Sequence, residues 1–375
     1  MVMVQVLRSK QGLTLVWLCT AVFCLLLTVG CVISPRRTLG GGGGTPTPTP
    51  TATPTPNPAA TGKLYVSNNT TNSILRFDNA LTANANVTPA ATIVGAGTTL
   101  NFPGSITLDA ANDRLYIADT GDISVLIYDN ISTKNGPAVP SRIIAGASTT
   151  LTGPSDVAFD RVRNLLYVAD DTNIIVFSSA SIATGGNVAP ARVLTTTFGL
   201  GVSAIFLDSN NDRLYAVDTS GNAIDVYDNV STLPAGQITA NRTIQGAATQ
   251  LGNPVGVQVD GLGRLVVCNA GNAQATPAVP VSITIYANAA GASANQAPVA
   301  QIAGNRTSLS APSQTVVDPS GTETLYIADP GAASVIVFAG FNTANGNILP
   351  TRSITGSNTG LVVNGPVGVA LDNTR

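Results

Sequence analysis

Six times along the chain the same short phrase returns: KLYVSN at Lys63, RLYIAD at Arg114, LLYVAD at Leu165, RLYAVD at Arg213, RLVVCN at Arg264 and TLYIAD at Thr324. The intervals are 51, 51, 48, 51 and 60 residues. A period of this size restricts the chain to repeat architectures. A second segment precedes five of the six phrases, as in SITLD (Ser105) and DVAFD (Asp156), and a third follows each, as in VLIYD and IDVYD. A fourth is a short run after a proline, as in PSRIIAG (Pro140) and PTRSITG (Pro350). All are short, β-branched or aromatic, and bounded by Gly, Asn, Asp or Pro, so each reads as a strand. Four strands per unit of about 50 residues is the pattern of propeller blades. A β-solenoid is the weaker alternative, because its repeats are usually shorter.

The two ends of the repeat complement each other. The first unit starts at its second strand, KLYVSN, and the chain stops after PVGVALDNTR, a first strand without a second. Joining the two halves completes a sixth blade and removes the exposed edges of an open array. The expected fold is therefore an all-β, six-bladed β-propeller over residues 63–375, with four strands per blade and a ring closed by pairing of the N- and C-terminal segments. A monomer is expected.

The motif P-x-x-V-x-x-D, then LYIAD, then I-x-V-Y/F, best seen in PVGVALD, RLYIADTGD and AIDVY, resembles the NHL-type and YVTN-type β-propellers. The match departs from NHL repeats in lacking Asn-Arg-Ile before the third strand. That resemblance implies a fold and not an activity, since such propellers include sensor domains, protein-binding modules, RNA binders and a few lyases and lactonases.

Upstream of the repeat the chain reads as an address. Arg8 and Lys10 precede an uncharged apolar run from Leu13 to Val29, and LTVGC (Leu27 to Cys31) resembles a bacterial lipobox, with Thr28 where Leu is more usual. The expectation is a signal peptide over residues 1–30 and lipidation at Cys31; the alternative is an uncleaved anchor helix. Either places the rest of the chain outside the cytoplasm, and the lipid puts it on an outer membrane or cell surface. Residues 31–62 read as a linker, with five glycines at 40–44 and a Thr-Pro tract from Thr45 to Pro58. In extended polyproline II those 14 residues span roughly 40 Å.

Composition then narrows the chemistry. No histidine occurs, which removes the usual general base and every Ser-His or Cys-His pair. Charged residues make up 10% of the chain, the net charge is −2 and there is no basic run, so nucleic acid is not an expected partner. Outside the leader and Cys31, Cys268 stands alone in an apolar strand and reads as a small buried hydrophobe.

The aspartates recur with the blades. Asp119 of ADTGD is matched by Asn68, Asp170, Asp218, Asn269 and Asp329, and Asp109 by Asp160, Asp208, Asp260, Asp318 and Asp372. Catalysis needs a residue once; a residue present in every blade serves the blade. Asp109 with Asn112 is expected to close the first hairpin, and Asp119 with Gly121 the second. The competing reading makes Asp119, Asp170, Asp218 and Asp329 a rim that holds calcium; otherwise no cofactor is expected. Tyr65, Tyr116, Tyr167, Tyr215 and Tyr326 recur at one position and are expected between blades, at about 1.5–3 kcal/mol each. Arg142, Arg192, Arg242 and Arg352 open four of the fourth strands and are expected to pair with acids.

Function is sought where the symmetry breaks. The position that starts each first strand is Ser105, Asp156, Ala204, Gly256, Gln314 and Gly368. Ser105, Asp156 and Gln314 are the ligand-binding candidates there. Two irregular connections, 195–203 and 269–282, are expected on the same face. The leading expectation is a noncatalytic surface lipoprotein whose propeller face binds a protein, glycan or small ligand. The alternative is a metal-dependent, lactonase-like hydrolase or lyase.

Overall fold

The computed structural model describes residues 61–375 except Leu200. The signal segment, Cys31 and the linker up to residue 60 lie outside the described residues. Six antiparallel sheets of four main strands form six blades. Blade two shows the plan: Pro103–Asp109, Arg114–Asp119, Ser124–Asp129 and Arg142–Ala145, from the innermost strand outward. Blade one is the composite. Its inner strand is Pro366–Asp372, which pairs antiparallel with Lys63–Asn68 from Lys63↔Asp372 to Asn68↔Pro366. Ser73–Asp78 and Ala91–Ile93 complete it. The predicted closure of the ring is therefore present.

The core is divided among the blade interfaces. Six clusters of buried apolar side chains each draw on two neighbouring blades. Between blades two and three, Tyr116, Ile127 and Ile144 meet Val157, Leu166 and Phe177. The recurrent tyrosines sit in these layers as expected, all essentially inaccessible, and Tyr116 stacks on Phe159 of the next blade at 4.8 Å. Cys268 is buried in the layer between blades five and six.

A second set of bonds runs around the outside. The fourth strand of every blade makes a parallel bridge to the segment between the third and fourth strands of the next: Ile93 to Gly136, Ile144 to Gly186, Leu194 to Gly236, Ile244 to Ala294, Ile302 to Gly346, and Ile354 back to Ala85. The glycine after the fourth strand makes room for it. Gly146 has φ +112, and a Cβ there would lie 2.6 Å from Oδ1 of Asn187 in the next blade. That same oxygen accepts from Ser148 N at 2.7 Å.

Charge follows the topology. One face carries the hairpins between first and second strands and the connections between third and fourth strands. Every ion pair among the described residues lies there. Arg114 and Arg142 share Asp129, and Arg213 and Arg242 share Asp228. The arginines of blades three and six do not pair with acids as expected. Arg192 donates to the carbonyl of Ser231, and Arg352 to those of Ala80 and Ala83, each across a blade boundary. On the opposite face, which we term the loop face, Arg306 is the only lysine or arginine among the described residues.

Deleting residues 366–375 removes the inner strand of blade one and exposes Lys63–Asn68 as an open edge. The expected outcome is loss of the cooperative thermal transition, or aggregation, by calorimetry and light scattering. A truncated chain as stable and monomeric as the parent would refute the role of this strand.

Candidate functional site: the channel and the loop face

The inner strands surround an axial channel of about 440 Å³, lined by Ile106, Val157, Phe206, Gln258, Gln314 and Val369 among others. Each inner strand has a sheet neighbour on one side only, so its other edge turns backbone groups toward the channel. Two of the symmetry-breaking residues meet that demand at the end where the inner strands begin. Gln314 of blade six accepts from Val369 N at 2.8 Å and Ile106 N at 3.2 Å, and donates to Ile106 O at 2.9 Å. One amide thereby links blades six, one and two. Asp156 of blade three accepts from its neighbour Val157 N and from Ile205 N of blade four, at 2.8 and 2.9 Å. Burial pushes its carboxyl up to about 7, while those amides and the Ser105 hydroxyl pull it down.

The structure thus brings Ser105 and Asp156 together and sets Gln314 across from Ile106, but Asp156 is buried at 2% exposure and its oxygens are engaged by backbone. Of the three, Gln314 lines the channel. Toward the ion-paired face the lining extends to Arg161, Asp208 and Asn210.

The rim aspartates are not brought together. Asp119 Oδ1 accepts from Asn101 N at 2.8 Å, Asp170 from Thr152 N and Gly153 N, and Asp329 from Ser310 N and Ala311 N. These donors belong to the lead-in loop before each blade's first strand. The expected bond to the residue's own hairpin is found at Asp218, to Gly221 N, and at Asp329, to Ala332 N. Asp119 instead ties two loops together, a correction to the turn reading. The other hairpin is as expected, with Asn112 Nδ2 donating to Asp109 at 2.7 Å. Among the described residues no group of three or more His, Cys, Asp or Glu side chains is placed to hold a metal ion.

The irregular connection 195–203 does lie on the loop face. Phe198 plugs the layer between blades three and four. Gly201, Val202 and Ser203 line a depression of about 480 Å³ with Thr152, Gly153, Ser155 and Asp171. Connection 269–282 folds back on itself, with Asn272 and Val279 exchanging backbone bonds.

Sequence reasoning missed two residues. Phe102 and Ile123 are exposed on the loop face, at 52% and 43%, with left-handed φ of +52 and +49. Asn253, which like Phe102 precedes the proline of a first strand, has φ +48. Asn72 and Asn222 hold the place of Ile123 in their own turns, at φ +49 and +48. Asn suits this region and a β-branched side chain does not. The asparagines also bond to the next blade: Asn72 Oδ1 accepts from Phe102 N, and Asn222 Oδ1 from Asn253 N. Ile123 cannot do the same for Gly153. The signal was readable in TTNS, GDIS and SGNA, had the turns been aligned residue by residue.

No family model matches the chain, and no curated protein matches it. Solved structures similar to it include a chain of a nidogen/laminin complex, at 16% identity and a TM-score of 0.55, covering 83% of this chain and 98% of that one. A protein of unknown function from Bacteroides caccae is similar at 10% identity and a TM-score of 0.54, with the same coverage. At these identities the likeness is one of fold alone.

The buried carboxyls give stability a pH dependence. Desolvation pushes Asp119 up to about 7, so the folded state holds a proton that the unfolded state releases above about pH 4. The stabilisation is complete below that pH and is lost as pH rises through 7. Asp228, bonded by two arginines, is held down at about 2, and its contribution is lost as pH falls from 4 toward 2. Asp119→Asn keeps the acceptor, as Asn68 and Asn269 do in their blades, and removes the titration. Its melting temperature is expected to match the parent near pH 3.5, where the carboxyl is protonated in both states, and to exceed it at pH 8. The reverse order at pH 8 in differential scanning calorimetry would overturn this account.

Proposed function

We infer that the protein is a noncatalytic, extracytoplasmic lipoprotein that presents its propeller as a binding module, using the loop face. One observation carries the reading: the carboxylates available for chemistry at the channel and rim are engaged by backbone amides and serve the ring. Asp156, Asp119, Asp170 and Asp329 all do so. Gln314 and Asp156 hold the inner strands, which moves ligand contacts outward to the loops. The chain enters the propeller on the ion-paired face, where Leu81 N bonds Thr61 O and Lys63 pairs with Asp372. A chain of this fold occurs in a nidogen/laminin complex, which accords with a role in protein contact. NHL-type repeats and an anchor at Cys31 complete the proposal.

Two measurements test it. Cys31→Ser should abolish lipid labelling and leave unprocessed precursor; unchanged labelling refutes the address. Calcium titration of the purified protein by calorimetry, with metal analysis, should show no tight stoichiometric site. A tight site whose stabilisation disappears in Asp119→Asn would favour the hydrolase alternative and the Asp119, Asp170, Asp218 and Asp329 rim.

A further inference from the structure

We propose that the loop face over blades two and three is a docking surface for a protein segment in which a lysine or arginine stands next to a bulky apolar residue. This rests on the binding-module reading and specifies the partner.

Three observations on adjacent elements converge. Phe102 and Ile123 present apolar side chains to solvent from left-handed conformations; Asn72 and Asn222 take the place of Ile123 in blades one and four and the small Ala333 takes it in blade six, while Asn253 takes that of Phe102 in blade five. At Ile123 the substitution also forgoes the bond that Asn72 and Asn222 make to the following blade. The amide an asparagine at 123 would reach, Gly153 N, is held instead by Asp170, and left-handed strain at exposed bulky apolar side chains points to use.

Next to them lies the depression lined by Gly153, Ser155, Asp171 and Gly201. The turn that carries Ile123 is fastened to its wall, since Thr120 Oγ1 donates to Pro154 O at 2.7 Å. An apolar platform and a recess therefore share one rigid corner.

The charges supply the sign. Asp122 beside Ile123 and Asp171 at the recess are exposed, and neither has an ion-pair partner among the described residues. The one cation of this face among the described residues, Arg306, lies in the lead-in loop of blade six, across the ring. A cationic side chain seated in the recess meets Asp171, while its apolar neighbour covers Phe102 and Ile123. Complementarity of this type sets specificity and association rate as well as affinity.

The test uses full-length protein in detergent micelles. It is applied to arrayed short peptides that pair Lys or Arg with Leu, Ile or Phe, to charge-reversed versions, and to neutral glycans. Retention of the basic apolar peptides, weakening as salt is raised, is expected. Phe102→Asn combined with Ile123→Asn should weaken it at least tenfold, and Asp171→Asn about tenfold. The double variant should also melt a few degrees higher than the parent, because it removes left-handed strain, so loss of binding is not misfolding. Equal retention of charge-reversed peptides, retention of glycans instead, or peptide binding indifferent to these variants overturns the proposal. Indifference with intact peptide binding places the contact elsewhere and leaves the binding-module reading standing. Tight calcium binding lost in Asp119→Asn removes that reading itself.

Discussion

The structure depends on one constraint: a sheet has two edges, and each edge is a row of unpaired amides and carbonyls. Six blades make twelve such edges. The outer ones are stitched to the next blade by parallel bridges of one residue pair, or two in blade three, each supplied by a small residue such as Gly136, Gly186 or Gly346. The inner ones face the channel, where Gln314 and Asp156 satisfy part of them from the side. The tyrosine layers then fix the angle between blades, with hydroxyls that bond onward where they can, as Tyr128 does to Thr98 O.

The same ring separates two chemistries. Arginines fasten the corners of one face, either to a shared aspartate or to carbonyls of the next blade, and their partial burial makes them more than surface ornaments. The opposite face uses neutral asparagine and threonine, together with buried carboxyls, to tie turn to lead-in loop. A partner therefore meets a surface whose sign is set by a few exposed acids rather than by a field of paired charges.

Much of this was legible beforehand. Period, strand count and the complementary half-blades at the ends follow from local pattern, and local pattern is what a strand encodes. The bridge belt was not legible, because a one-residue contact has no alternation to betray it. Gly146 looks like a turn glycine until Asn187, some forty residues on in the sequence, is seen beside it. The recurrence of Asp119 marks it as a residue of the blade, but its partner Asn101 precedes the strand by a path only the fold reveals. Asp156 and Gln314 stood out as irregular for a sound reason; that the irregularity serves inner-edge amides depends on which strands share the axis. Exposed apolar residues are common, so Phe102 and Ile123 do not stand out by type; the aligned turns mark Ile123, and the dihedral angles mark both.

The composite blade has a further consequence. Its inner strand, Pro366–Asp372, has one sheet neighbour, and that neighbour lies some three hundred positions away in the chain. Bringing such distant segments together from a random coil costs several kcal/mol of chain entropy, whereas with the other blades already assembled the ends are held near one another. Folding should therefore run from blades to ring, with the seam last. Spontaneous opening reverses that order, so the seam is the place where native-state hydrogen exchange is fastest among the central strands and where a protease would gain its first foothold.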